Sequence, residues 1–246
     1  TGGFGAQYGG RLSSVMDITT RDGNRKRHSG KVGGNPFGAN LILEGPLKKE
    51  SANSTSTITY LLTAKNSYLS KSSEYIYPYI DGGLPFDFFD LYGKLTASSG
   101  TGSKISVFGF RFDDQVNGYQ GLNDYHWRNF GAGTNFALVT GNSALVEGSI
   151  AYSNYNITLD DLSGKEKFSS IGGLNMELVV NNFYGKNKLT YGLNMENYAT
   201  DYQYYNALGI RSEQKEHTND IAGFITYKYC TGKWLFDAGV RYIYYN

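Results

Sequence analysis

Apolar and polar residues alternate along most of this chain with the period of two that is typical of β-strands. In the segment from Lys188 to Ala199, Leu189, Tyr191, Leu193 and Met195 occupy alternate positions, and polar residues or glycine fill the positions between them. Similar alternation recurs in many other segments, whereas the 3.6-residue periodicity of helices is nearly absent. The sequence therefore predicts an all-β fold whose strands are apolar on one face only.

The alternation also predicts which side chains share a face. In the clearest segments, one face is expected to carry Leu174, Met176, Leu178, Leu189, Leu193, Phe236 and Val240, and the other face Asn175, Glu177, Glu196 and Arg241. A separate stripe, formed by Phe108, Phe110 and Phe112, is expected on the apolar face of its own strand.

Strand and turn patterns together divide the chain into about eleven strands. They are expected near residues 27–34, 38–47, 56–69, 87–99, 103–114, 125–140, 143–159, 168–181, 187–201, 215–230 and 233–246. Single-chain bacterial barrels have even strand numbers, and this sequence ends inside an expected strand. We therefore expect the chain to be a fragment of a larger barrel, truncated at both ends.

The lengths of strands and connections distinguish a membrane barrel from a soluble β-sandwich. Several expected strands exceed the ~5–6 residues usual in globular proteins, and a tilted transmembrane strand needs ~9–11. Minimal turns alternate with longer connections, which are Ser70 to Phe86, Asp114 to Asp124, Asp160 to Lys167 and Tyr202 to Gln214. Bacterial barrels have this asymmetry between their two ends, so a soluble β-sandwich adhesin is disfavoured.

Composition excludes several other classes of protein. The 246 residues carry a net charge of +1, so no strong field would recruit nucleic acid. The single cysteine, Cys230, excludes an internal disulfide framework. A mean hydropathy of -0.42 usually indicates a soluble protein, but outer-membrane barrels are apolar on one strand face only and share such values.

The start of the chain differs from the rest. A glycine cluster precedes a β-rich run from Leu12 to Thr20, and the turn Asp22-Gly23 follows this run. The motif Gln7-Tyr-Gly-Gly-Arg-Leu-Ser-Ser-Val-Met-Asp-Ile-Thr-Thr-Arg-Asp-Gly23, together with Asn40-Leu-Ile-Leu-Glu-Gly-Pro-Leu-Lys48, resembles the plug-to-barrel junction of TonB-dependent outer-membrane receptors. The resemblance covers about the first fifth of the chain, and the remainder is similar only in its barrel architecture.

The resemblance implies a domain division and a function. Residues 1–24 would be the C-terminal end of a plug domain, with Leu12 to Thr20 as its last strand, and residues 25–246 the N-terminal half of an antiparallel transmembrane barrel of about 22 strands. Such receptors import a bulky nutrient, such as a glycan, peptide or siderophore, across the outer membrane of a Gram-negative bacterium. The expected partners are the lipid bilayer, the TonB–ExbB–ExbD complex of the inner membrane and a surface lipoprotein. A passive porin, or a structural barrel of an outer-membrane assembly, is the alternative function.

The sequence contains no motif for catalysis, a metal ion or a cofactor, because its three histidines are far apart and lie outside any ligand pattern. Polar contacts between plug and barrel are expected from Arg11, Asp17 and Arg21, since buried charges need partners. Barrel residues that could supply these partners are Glu44, Lys65, Lys94, Glu177, Glu196 and Arg241.

Ligand contacts are expected from two aromatic clusters in the longer connections. Aromatic rings beside amides and carboxylates suit sugar or peptide recognition, although an aromatic membrane girdle would explain the same residues. The candidates are Tyr75, Tyr77, Tyr79 and Asp81 in one connection, and Tyr119, Asn123, Asp124, Tyr125 and Trp127 in the next.

Overall fold

A computed structural model describes residues 5–10, 14–51, 54–118, 123–141, 143–160, 165–206 and 208–246. Its strands form one antiparallel sheet in which every strand pairs with its neighbours in the sequence, in the order β1 to β11. The sheet is an open meander, because the described parts of β1 and β11 pair only with β2 and β10, respectively. The predicted all-β class, antiparallel pairing and eleven strands are therefore confirmed.

The strand boundaries follow the alternation closely. The strands are β1 (Ser29–Asn35), β2 (Gly38–Lys48), β3 (Thr57–Ser67), β4 (Phe86–Ser98), β5 (Lys104–Val116), β6 (Asp124–Thr140), β7 (Ala144–Asp160), β8 (Glu166–Tyr184), β9 (Asn187–Tyr205), β10 (Arg211–Thr231) and β11 (Trp234–Tyr245). The meander places the connections β3–β4, β5–β6, β7–β8 and β9–β10 at one end of the sheet, the loop end, and the tight turns that alternate with them at the other, the turn end.

Two of the longer connections are shorter than predicted. The connection expected from Tyr202 to Gln214 is mostly strand, because β9 and β10 remain paired as far as Tyr205 and Arg211. The connection expected from Asp160 to Lys167 is shortened in the same way by the pair Asp160 and Glu166. Tyrosine and charged side chains mark these segments as polar connections in the sequence, but an exposed hairpin extension tolerates the same residues.

The connection between β3 and β4 contains a helix that the sequence did not predict. This helix, α1, spans Leu69–Ile76 and has no side-chain hydrogen bond at its N-terminal cap. It has only eight residues, which is too short a segment for helical periodicity to stand out in the sequence. Among the described residues, no helix is long and apolar enough to cross a membrane.

The two faces of the sheet differ in chemistry as the alternation predicted. The face that carries Glu44, Lys94, Glu177 and Arg241 is called the inner face here, because residues from the start of the chain lie against it. Cross-strand register places Leu178 opposite Leu193 on the other, outer face. Leu193 is 61% exposed, which shows how little of the outer face the described residues cover.

The phenylalanine stripe of β5 lies on one face of its strand, as the alternation predicted. Phe108 pairs with Lys94, so this face is the polar inner face of the sheet. Glycines explain how the rings fit there. A Cβ atom at Gly131 would lie 2.7 Å from the ring of Phe110, and one at Gly133 would lie 2.8 Å from that of Phe108. The rings therefore occupy space that only glycine leaves free on β6.

The sequence predicted a plug strand from Leu12 to Thr20. The described part of this range, residues 14–20, forms neither strand nor helix. A strand needs the backbone of a neighbour to complete its hydrogen-bond ladder. In the described chain, residues 14–20 join no such ladder. Residues 5–10 and 14–28, called the N-terminal segment below, instead contact the sheet mainly through side chains.

Candidate functional site

The N-terminal segment crosses the inner face between its two lateral edges. At one edge, the Arg241 guanidinium on β11 donates a hydrogen bond of 2.8 Å to the carbonyl of Gln7. At the other edge, Arg21 forms an ion pair with Glu44 on β2. The segment therefore spans the width of the inner face instead of adding a strand to the sheet.

A buried lysine anchors the segment near the turn end. The Lys94 ammonium lies 2.8 Å from a carboxylate oxygen of Asp22 and donates a hydrogen bond of 2.9 Å to the carbonyl of Thr20. The Lys94 side chain is only 3% exposed. A lysine so deeply buried requires such partners, because an unpaired ammonium in a dry environment is costly.

The Asp22 carboxylate is the centre of this polar network. Besides Lys94, it accepts a hydrogen bond of 3.2 Å from the Thr96 hydroxyl and lies 3.6 Å from the more exposed ammonium of Lys104. Thr96 in turn contacts the hydroxyl of Ser106 at 3.0 Å. Burial raises the pKa of the Asp22 carboxyl, but the hydrogen bond and charge of Lys94, with help from Lys104, outweigh it and hold the pKa below its usual value.

Close approach of the backbone reinforces the network. A Cβ atom at Gly23 would lie 2.0 Å from the carbonyl oxygen of Tyr60 on β3, a distance that only glycine avoids. Next to it, the Thr20 hydroxyl is 2.6 Å from the Tyr92 hydroxyl. The turn Asp22-Gly23, singled out from the sequence as a boundary, is thus the point where the segment contacts the sheet most closely.

The three residues predicted to link plug and barrel differ in their surroundings. Arg21 pairs with Glu44, one of the proposed barrel partners. Asp17 lies near Tyr8 and Glu177: burial raises the pKa of the Tyr8 hydroxyl, and the negative charges of Asp17 and Glu177 raise it further. Arg11 lies outside the described residues.

A groove of about 460 Å³ opens on the inner face of β3 to β7, toward the loop end. Four of its lining residues are aromatic and come from four strands: Phe88, Phe112, Trp127 and Tyr155. The register explains their proximity, since Phe112 is paired with Asn129 and Asn129 with Tyr155. This pocket is called the aromatic–acid groove below.

The polar lining of the groove consists of Lys65, Asp90, Asp114 and Asn129. Lys65 is paired with Asp90 across β3 and β4, and its ammonium lies 4.9 Å from the centre of the Phe88 ring. Asp114 is paired with Phe88 on one side and with Trp127 on the other. Asp114 therefore lies between two aromatic residues, and Asp90 lies between Lys65 and Phe112. The fold brings these side chains together in one groove.

The predicted ligand residues only partly coincide with this groove. Trp127 lines it, and the Tyr125 ring stacks on the Trp127 ring at 5.4 Å. Asp124 instead accepts a hydrogen bond of 2.7 Å from the backbone N–H of Gly118, and Asn123 directly precedes β6. Tyr119 lies outside the described residues.

The other predicted cluster lies in and after α1, and the groove does not include it. Tyr75 is 87% exposed, and the rings of Tyr77 and Tyr79 contact each other edge to face at 5.9 Å. Asp81 follows in an exposed turn. These residues project from the loop end without forming a described pocket.

Sequence reasoning missed most of the groove. Phe88, Asp90, Phe112, Asp114 and Tyr155 lie within strands, and alternation alone places each of them on one face of its own strand. Their convergence depends on the pairing register across β3 to β7, which requires every turn and bulge between these strands to be known.

No protein-family model and no curated protein matches the sequence. Among the described residues, no group of three or more histidine, cysteine or acidic side chains could hold a metal ion.

Proposed function

We propose that this chain belongs to an outer-membrane importer that takes up a bulky nutrient and is energised from the inner membrane by the TonB–ExbB–ExbD complex. The observation that carries the proposal is the course of the N-terminal segment, which lies across the inner face and is anchored by Lys94 and Asp22. A plug that closes a barrel requires such polar attachment, because the interior wall of a barrel is polar.

The outer face supports a location in the bilayer. Val240, at 70% exposed, and Phe236, at 56%, belong to an extended set of exposed apolar side chains on the outer face. Large exposed apolar surfaces mark contacts with membranes or with other proteins. The strands are also long enough: β8 and β9 each contain 19 residues, against the ~9–11 needed to cross the hydrocarbon core.

Paired substitutions on β9 test this location. Arginine at a mid-membrane lipid-facing position costs about 2–4 kcal/mol, whereas a residue directed to the lumen remains in water. We expect Leu193→Arg to reduce the yield of folded protein in outer-membrane fractions, and the adjacent Asn194→Arg to leave most of it. Equal yields of the two variants would contradict a lipid-facing outer face.

A reversible covalent link tests energised import. A Cβ atom at Gly239 would lie 2.9 Å from Cβ of Ala6, so small shifts would allow a disulfide between cysteines at these two positions. In a Cys230→Ser background, the Ala6→Cys/Gly239→Cys variant should lose uptake when oxidised and regain it when reduced. Uptake is measured as protein-dependent depletion of nutrients from the medium, in cells with and without TonB. The two single-cysteine variants are the controls.

The alternative function predicts a different result. A passive porin, or a structural barrel of an outer-membrane assembly, would show depletion that is independent of TonB and insensitive to the disulfide, or no depletion at all. Any of these results would refute the proposed importer.

A further inference from the structure

The two carboxylates of the aromatic–acid groove differ from other aspartates on this part of the sheet. Asp113 on the outer face is held by Arg111 and by Arg128, whose Nε atoms lie 2.5 and 2.9 Å from its oxygens. Asp90 and Asp114 form no hydrogen bond or ion pair with any described residue, although both line the same groove. Their acceptor capacity is therefore available to a ligand.

The charges of the groove do not balance. Asp90 and Asp114 contribute two negative charges, and Lys65 is the one cationic residue in the described lining. Asp90 is paired with Phe112, two residues before Asp114 on the same face of β5, so a cation held between the two carboxylates would relieve their repulsion as well as gain attraction. A ligand with a positive charge would therefore balance the charges of the groove.

The rings of the groove suit a cation as well. The Lys65 ammonium already lies 4.9 Å from the centre of the Phe88 ring, which demonstrates that the groove accommodates a cation against an aromatic face. Trp127, the strongest ring for this interaction, is paired directly with Asp114. An ammonium or guanidinium group could thus contact a carboxylate and a ring together.

We propose that the aromatic–acid groove binds a basic peptide, holding the ammonium or guanidinium of a lysine or arginine side chain between Asp90, Asp114 and Trp127. This rests on the proposed function, in which the groove lies in the lumen below the loops and receives the nutrient first. A neutral sugar would stack on the same rings, but it would leave the excess negative charge uncompensated.

Tryptophan fluorescence of the full chain in detergent tests this assignment. The protein contains two tryptophans, so Trp234→Phe leaves Trp127 as the only reporter. The probe is trilysine with blocked termini. Its controls are the same peptide acetylated on its side chains, and maltotriose. We expect saturable quenching by trilysine that weakens as salt is raised, and affinity on the order of tenfold lower for the acetylated peptide.

Substitutions within the groove sharpen the test. Asp114→Asn and Asp90→Asn keep the side-chain shape and should each weaken trilysine binding on the order of tenfold. Asp237→Asn, at an exposed aspartate near the β10–β11 turn, should have no effect. Lys65→Met removes the competing cation and should strengthen binding severalfold, a change of opposite sign that general damage to the fold would not produce.

Several outcomes would overturn the assignment. These are absent or unsaturable trilysine quenching, equal binding of the acetylated peptide, preferential binding of maltotriose, or full binding by both asparagine variants. The binding assay needs no energy source, so a negative result would refute peptide binding in the groove but would not bear on the importer proposal, which the uptake experiment tests. Peptide binding without TonB-dependent uptake would refute the importer proposal and support the groove as a peptide-binding site.

Discussion

The inner face of β3 to β6 carries similar polar groups at its two ends, in opposite states of pairing. Near the turn end, Asp22 is surrounded by Lys94, Thr96 and Lys104, and the ammonium of Lys94 is almost completely buried. Toward the loop end, Asp90 and Asp114 accept no hydrogen bond from a described residue, and Lys65 is the one cation in the described lining of their groove. The comparison indicates that the two ends have different roles. The paired charges of Asp22 and Lys94 attach the N-terminal segment, whereas the carboxylates of Asp90 and Asp114 are available to a ligand.

Among substitutions at the two ends of the face, removal of the buried Lys94 ammonium should cause the largest loss in the free energy of unfolding. Lys94→Met leaves the Asp22 carboxylate and the Thr20 carbonyl without their main donor, and we expect a loss of about 3 kcal/mol in the free energy of unfolding. Lys104→Met is the matched control: it removes a 40% exposed partner of the same carboxylate and should cost under about 1 kcal/mol. Denaturant unfolding in detergent measures both, and equal losses would contradict the special role of Lys94.

Steric exclusion at the turn should have the next largest effect. Gly23→Ala places a methyl group against the Tyr60 carbonyl, so the segment must move away from β3 at a cost of about 2 kcal/mol. Gly34→Ala on β1 is the control, because no atom lies within 4 Å of its added methyl group. Limited proteolysis should release the segment faster in Gly23→Ala only. Unchanged proteolysis would show that the contact at Gly23 is dispensable.

Acid should weaken the turn-end anchor through Asp22. Its folded-state pKa is lowered, so its contribution to stability is fully present above the ordinary aspartate value of about 3.9. The contribution is lost as the pH falls through the lower folded-state pKa. Unfolding free energies measured between pH 7 and pH 3 should therefore decrease less steeply in Asp22→Asn than in the unsubstituted protein. Identical slopes would indicate that another group is responsible.

The smallest effect is expected at the loop end. Asp114→Asn breaks no described hydrogen bond and removes repulsion from Asp90, so the free energy of unfolding should change by less than about 0.5 kcal/mol. The same substitution is expected to impair ligand binding, which separates function from stability. A loss comparable to that of Lys94→Met would mean that the groove is a structural element.

The sequence predicted repeating features better than convergent ones. Alternation assigned Leu193 and Asn194 to opposite faces, because this assignment requires only the sequence of a single strand. Alternation did not reveal that Phe108 shares a face with Lys94. That face has room for the phenylalanine rings of β5 because of small residues on a different strand, β6. The Asp22 network and the groove depend on residues from distant strands, and neither periodicity nor composition contains that information.

The course of the N-terminal segment has a mechanical consequence. Its attachments run from the Gln7 carbonyl at Arg241 on β11 to Arg21 at Glu44 on β2 and Asp22 at Lys94 on β4. A pull on the N-terminal end would load these attachments one after another, as in peeling, and would reach the Arg21 and Asp22 contacts last. Peeling requires less force than rupture of all contacts together, so a weak pull could lift the first part of the segment while Asp22 still retains it as a tether.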